Sequence, residues 1–397
     1  MSIFDNPHGV SFVKICAGGL ILCSGIMFSY ASIKQIVIRR HFIYHSALRL
    51  VVTLTVFWGI LTCLRSISSD MQDLRTLFAN PFVGGWPWVI PIVFFCASNH
   101  TVWKYLNRIF IQHLYFGLAI VPILLIINPE LTIKYIRSDF SIFYCCGFLL
   151  LTFSFQSKKV KIMTVIATLV WLLGTVLHGQ RVYILRIIYY IVASSFIFVF
   201  MQRKTFGKTV KLVSLFVVVA SLFSFFLPVL MKSELVREKV DYLENRIFAD
   251  TRSDVINDYF DAVKGFDRIV GLGALGRFWS PYFYKRFLVE GYDTDVDSPM
   301  RSTIESGYLH IILKSGYVML VLVLLLAIRA AIMGVCYPKN ILLLTCGLII
   351  ICRLVAMIPS LAPSFSPGYV VFWISIATCL NKNIKNISNE EMSSFFK

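Results

Sequence analysis

The chain has 397 residues, of which 57% are hydrophobic and only 15% charged, with a mean hydropathy of +0.75. No water-soluble globular class carries so apolar a balance, and the sequence reads as an all-α polytopic membrane protein. The formal net charge of +17 is not a nucleic-acid signal, because most basic residues fall in short connections between apolar runs; it fits membrane topology and anionic partners.

A bilayer-spanning helix needs roughly 20 apolar residues. Runs bounded by charge, Pro and Gly predict helices at residues 12–32, 45–64, 86–98, 109–127, 140–155, 162–177, 182–200, 210–231, 305–330, 341–358 and 368–380, about 11 transmembrane helices in all. The first run lacks a small-residue cleavage site and is followed by further spans, so it reads as a retained helix. The third is short and holds Pro87 and Pro91, which predicts a tilted, broken or re-entrant element with Trp86 and Trp88 at an interface. Basic residues such as Lys104, Lys158, Arg203, Arg329, Lys382 and Lys385 collect on alternate connections. The positive-inside rule makes those connections cytoplasmic, with the N-terminus outside and the C-terminus inside.

The expected order is transmembrane helices 1–8 over residues 1–231, an external loop over 232–303, helices 9–11 over 304–380 and a cytoplasmic tail over 381–397. The loop is long enough to fold over the membrane and short for an autonomous domain, so it is expected to form a lid or wall of a site. Within it, Leu235, Val236, Val240, Leu243 and Ile247 recur at helical spacing, as in an interfacial amphipathic helix. A second helix starts at the capping-box pattern Thr251-Arg252-Ser253-Asp254, buries Val255, Tyr259 and Val263, and stops at Gly265. "GLGALGRFW" follows, where closely spaced glycines allow a tight backbone excursion directly before Arg277. Its formal match to G-x-G-x-x-G carries little weight, because no strand–helix unit of the nucleotide-binding kind surrounds it. The ten cysteines lie almost entirely inside apolar runs without C-x-x-C spacing, and read as small buried hydrophobes and not as metal ligands.

Three places put charge where lipid is expected. Arg353 lies mid-run, at a cost of roughly 2.5–3.5 kcal/mol on insertion scales, so it is expected to face the bundle interior or a wet cavity. Its role there is either an internal ion pair or a ligand anion. The tight turn in "HGQRVYILR" puts Arg181 at the outer membrane face, where snorkelling to headgroups competes with a diphosphate clamp. In "TIESGYLHIILKSGY", Ser306, His310 and Lys314 share a helix face, whereas Glu305 points about 140° away from His310. Lys314 and His310 either snorkel or satisfy a partner helix; Glu305 is either a base beside a bound substrate or an acid favoured by the helix dipole.

The segments "HGQRVYILRI", "TRSDVINDYFDAVKGFDRIVGLGALGRF" and "ESGYLHIILKSGYV" resemble, in this order, those of the O-antigen polymerase (Wzy-type) and O-antigen ligase superfamily. The resemblance covers residues 178–318; the first half of the chain matches only as a series of helices. It implies a multi-pass glycosyltransferase of the bacterial inner membrane whose large loop and active site face the periplasm. The implied donor and acceptor are undecaprenyl-diphosphate-linked glycans, with membrane lipid and a polysaccharide chain-length regulator as further partners. No nucleotide sugar, metal or other cofactor is implied. Ligases of the superfamily usually begin the last block with His-Asn, and here Glu305-Ser306 stands in that place, which favours a polymerase; His310 is not the counterpart. Under this reading Glu305 is the general base, Asp254 a second candidate, and Arg181, Arg252, Arg277 and Arg353 stabilise charge on the departing diphosphate. The alternatives are a ligase that moves finished polymer to lipid A-core and, from another class, a flippase or transporter of lipid-linked sugars. The single long, late loop is unlike the paired halves of many transporters.

Overall fold

A computed structural model describes residues 19–27, 30, 46–98, 101–136, 143–177, 181–201, 251–290, 299–304, 306–359, 362–389 and 391. The expected span at 210–231, the amphipathic segment at 235–247 and Glu305 lie outside the described residues, and only a helical stretch at 19–27 with Tyr30 represents the first span. The described chain is mostly helical. Among the described residues four helices are long and apolar enough to cross a membrane: Ala47–Leu64, Val102–Ile127, Lys158–Val176 and Gly307–Val335. Shorter apolar helices occupy Val182–Ile197, Ile341–Ala356 and Pro367–Leu380. So many apolar, outward-facing helical surfaces are those of a membrane protein.

The chain divides into two compact units. The first combines the described parts of residues 1–100, 251–337 and 349–386. It contains α1 (Ser46–Leu64), α2 (Met71–Ala79) and α3 (Trp86–Val89), the last continued by a 3-10 stretch at Ile90–Ser98. Pro91 interrupts the third expected span, because it removes a backbone donor where α3 passes into the 3-10 stretch; Pro87 lies in the first turn of α3, where no intrahelical donor is lost. Trp88 departs from the expected interfacial position: it is 2% exposed and stacks on the His310 ring with centroids 6.2 Å apart. Gly59 explains why, because any Cβ there would collide with the Trp88 carbonyl, so α1 admits the α3 backbone only at a glycine. Trp86 is half-buried and its indole N–H donates to the Phe78 carbonyl at 2.7 Å.

The second unit combines the described parts of residues 101–250, 338–348 and 387–397. It holds α4 (Thr101–Ile127), α5 (Pro129–Ile136), α6 (Cys146–Leu151), α7 (Lys158–Leu177) and α8 (Arg181–Met201). The span expected at 140–155 appears, in its described part, as the six buried residues of α6 and a 3-10 turn at Phe153–Phe155. Small residues and polar bonds knit this unit together, as packing in lipid demands. Gly147 lies against the Tyr190 ring, Gln156 Nε2 donates to Asn107 Oδ1 at 2.8 Å, and the Tyr189 hydroxyl donates to the Leu348 carbonyl at 2.8 Å.

Back in the first unit, the loop region folds as α9 (Thr251–Ala262), α10 (Phe266–Val270), β1 (Phe278–Trp279), α11 (Pro281–Glu290) and β2 (Met300–Arg301). The two strands pair antiparallel, Phe278 opposite Arg301 and Trp279 opposite Met300. After them come α12 (Gly307–Val335), α13 (Ile341–Ala356), α14 (Pro367–Leu380) and the short α15 (Lys382–Lys385). α13 spans the boundary at residue 348, and only its later half belongs to the first unit. Val255, Tyr259 and Val263 are buried as their spacing predicts, the first two on α9 and the third just past its end. These side chains join Phe278, Phe283 and Ile304 against Ile312 and Leu313, so the loop region is packed onto the first turns of α12.

Candidate functional site

The site is built where the glycine-rich loop meets α12. α9 ends at Ala262, and its last carbonyls are capped by Arg268, which donates from Nε to the Val263 carbonyl at 2.5 Å and from Nη2 to that of Phe260 while lying over the Phe260 ring. A cation at a helix C-terminus satisfies orphan carbonyls and the macrodipole together. One turn of α10 then delivers Gly271 and Gly273, both at positive φ (78° and 89°).

Those glycines are needed because the loop backbone lies directly on the backbone of α12. The Leu272 and Gly273 amides donate to the Leu313 and Lys314 carbonyls at 2.8 and 2.9 Å. α12 exposes those carbonyls by breaking its own helix at Gly316 (φ 74°, ψ 178°), a conformation essentially reserved for glycine. A Cβ at Gly316 would collide with the Ile269 carbonyl, and one at Gly271 with the Lys314 carbonyl and the Ser315 amide. The sequence predicts an unbroken helix across Gly316. The structure differs because the loop claims two carbonyls that a continuous helix would use internally.

α1 completes the lock. Trp58 donates its indole N–H to the Ser315 carbonyl at 2.7 Å, and the Ser315 hydroxyl donates to Thr62 Oγ1 at 2.9 Å. The Ala274 amide donates to the Thr62 carbonyl at 3.1 Å, and Arg65 donates to the carbonyls of Val270 (2.7 Å) and Gly271. At the centre Lys314 is fully buried and its ammonium donates to the Gly276 carbonyl at 2.8 Å. Neither snorkelling nor a bond to a partner helix describes it: Lys314 staples the loop residue that immediately precedes Arg277. His310, one turn earlier, is 1% exposed and stacked on Trp88.

Beside this lock opens a hollow of about 540 Å³, which Arg277 enters together with Asp258, Asp261, Asp267 and the aromatic pair Phe278 and Trp279. The Asp258 carboxylate is already engaged, accepting from the Ser280 hydroxyl at 2.5 Å and the Tyr282 amide at 3.0 Å, which caps α11. Asp261, Asp267 and Arg277 are exposed. Trp279 is 44% exposed and packs on Tyr284 with ring centroids 5.2 Å apart, leaving an aromatic face at the rim. Among the described residues no cluster of His, Cys, Asp or Glu has the geometry to hold a metal ion. Carboxylate acceptors, a guanidinium donor and an aromatic face suit a hydroxyl-rich ligand.

The other expected site residues fall as follows. Asp254 is exposed in the first turn of α9 and is not among the residues lining the hollow. Arg252 lies in the same turn and Arg181 opens α8 in the second unit; their side chains, like the whole of Glu305, lie outside the described residues. Arg353 is buried, as its mid-run position predicts, donates from Nη2 to the Ala362 carbonyl at 3.1 Å and lies over the Tyr369 ring. It thus ties the chain after α13 to the start of α14. The N-terminal end of α12 meets the same region, through the Gly307 amide on the Met357 carbonyl (2.8 Å) and the Tyr308 hydroxyl on that of Leu354 (2.6 Å).

Sequence reasoning missed Asp261, Asp267 and Arg65. The i, i+3 spacing of Asp258 and Asp261 on a helix that buries its opposite face was the available signal for two of the carboxylates. No protein-family model, curated protein or solved structure matches this chain.

Proposed function

We propose that the chain is an O-antigen polymerase of the Wzy type, a glycosyltransferase of the bacterial inner membrane that joins undecaprenyl-diphosphate-linked repeat units on the periplasmic face. The observation that supports this reading best is the lock itself. The stretch "GFDRIVGLGALGRF" and the block "GYLHIILKSGYV", two of the segments that carry the family resemblance, fold as one object through Leu272, Gly273, Lys314 and Gly316, with the Arg277 hollow beside them.

In the reaction, a hydroxyl of the acceptor glycan attacks the anomeric carbon of the donor glycan. A new glycosidic C–O bond forms as the bond to undecaprenyl diphosphate breaks, and the diphosphate leaves with the bonding pair. The hydroxyl proton passes to Glu305, with Asp254 as the second candidate, a general-base contribution of ~10²–10⁴-fold. Arg181 and Arg252 keep the diphosphate role that the resemblance implies, since a guanidinium offers fixed paired donors at any physiological pH. Arg277 shares its hollow with Asp261 and Asp267, so we assign the carboxylates and the Trp279 face to the sugar, and the guanidinium to the edge where phosphate charge develops. Arg353, held by Ala362 and Tyr369, is assigned to architecture.

The test uses cells that make lipid-linked repeat units and carry Glu305→Gln or Arg181→Ala at normal protein levels. Loss of long-chain polymer on gels is expected from both. An unchanged long-chain ladder in both removes the assignment, and polymer lost only from lipid A-core favours the ligase reading.

A further inference from the structure

The end of α12 remote from the glycine loop carries a second hollow, of about 340 Å³, formed by four elements of the first unit. Its walls are apolar: Leu48 and Val51 from α1, Leu325 and Leu326 from α12, and Leu380 from the end of α14. Its rim is cationic, with Arg329 from α12 and Lys382 and Lys385 from α15, and no carboxylate is among the residues that line it. Arg329 lies fifteen residues beyond Lys314, roughly 22 Å along the helix at 1.5 Å per residue, so this hollow is separate from the Arg277 hollow.

The rim is held in place by the sequence. Asn381 caps α15, its side-chain oxygen accepting from the Asn383 amide at 2.9 Å, and Ile384 is buried against the core at 1% exposure. With Ile384 turned inward, the i, i+3 pair Lys382 and Lys385 reaches the rim of the groove. Arg329 is exposed on a helix whose neighbours Leu325, Ile328 and Ile332 are also exposed, a surface meant for lipid. Three cations above an apolar slot between membrane-crossing helices match the two parts of an anionic lipid, a phosphate headgroup and an acyl chain. A free phosphate would use only the rim and leave the slot unexplained.

We propose that this groove is a binding site for an anionic phospholipid, its phosphate held by Arg329, Lys382 and Lys385 and an acyl chain laid along the α1/α12 wall. The site stands whether or not the chain transfers sugars. The experiment purifies the full chain, strips lipid with detergent, and titrates phosphatidylglycerol, phosphatidylcholine or inorganic phosphate, reading bound species by native mass spectrometry. Phosphatidylglycerol is expected to be retained at least ~10-fold better than phosphatidylcholine, an advantage that high salt erodes. Lys382→Gln with Lys385→Gln is expected to abolish that preference, and Lys285→Gln, at an exposed position of α11 outside the groove, to leave it intact. If the double variant loses its helical signal, the salt dependence and the Arg329→Gln single variant carry the same test. Equal retention of the two lipids overturns the proposal, as does a preference unchanged in all groove variants. Displacement of phosphatidylglycerol by equimolar inorganic phosphate overturns it too, reducing the site to an anion rim.

Discussion

Gly316→Ala tests the lock most sharply when read beside Gly265→Ala. Both glycines have positive φ, 74° and 59°, so each substitution carries backbone strain of about 1–3 kcal/mol. Their surroundings differ: a Cβ at Gly265 meets open space, whereas one at Gly316 runs into the Ile269 carbonyl. Relief at Gly316 requires the loop to lift. That gives up the Leu272 and Gly273 amide bonds to α12 and the Lys314 bond to Gly276. Two neutral bonds at about 1 kcal/mol each and one charged bond at about 2 add roughly 4 kcal/mol. Hydrogen exchange of the purified protein reads this directly, because 1.4 kcal/mol is tenfold, so protection of the Leu272 and Gly273 amides should fall by about 10³-fold more in Gly316→Ala than in Gly265→Ala. Equal protection in the two variants would refute the claim that α12 is broken at Gly316 in order to receive the loop.

Lys314→Met keeps the volume and removes the donor, so the part-buried Gly276 carbonyl loses its partner; about 1–3 kcal/mol of loop stability should go, seen as faster proteolysis within residues 265–276. Arg268→Ala should lower hydrogen-exchange protection at the end of α9 by about 1–3 kcal/mol, and Arg268→Lys should restore only part of it, since one ammonium cannot reproduce the forked bonds to Val263 and Phe260. Burial, helped by Tyr317 and opposed by Arg268, pushes the Tyr259 hydroxyl up to about 12. Its neutral form is favoured in the folded chain, so its contribution is complete below the ordinary tyrosine value near 10 and is lost as pH rises towards the folded value. Thermal unfolding between those values should show an alkaline decline that Tyr259→Phe reduces.

Local period and local punctuation were readable, and tertiary partners were not. Val255 and Tyr259 on α9, with Val263 just past its end, advertise a buried face because helical spacing alone brings them together. The glycines of "GLGALGRFW" announced an abrupt turn, yet nothing in that stretch says that its amides will bond to carbonyls at 313 and 314. That pairing needs a break in α12, and Gly316 read as one small residue in an apolar helix. Trp88 followed the usual expectation for tryptophan near a membrane boundary until Gly59, distant in sequence, opened a place for it in the core. Arg353 was legible as an inward-facing cation, but its bond to the Ala362 carbonyl and its place over the Tyr369 ring were not, because a hydropathy pattern does not encode them. Asp261 and Asp267 meet Arg277 only because α9, α10 and β1 fold around a common hollow.

Under the proposed function, this chain makes glycosidic bonds between lipid-linked repeat units. The direct measurement supplies purified protein in lipid bilayers with undecaprenyl-diphosphate-linked repeat unit as the sole substrate, and resolves the products by size. A ladder of lengthening glycans, with release of undecaprenyl diphosphate, is the predicted result. Movement of the intact donor across the bilayer without any new glycosidic bond, or transfer only after lipid A-core is added, would contradict it.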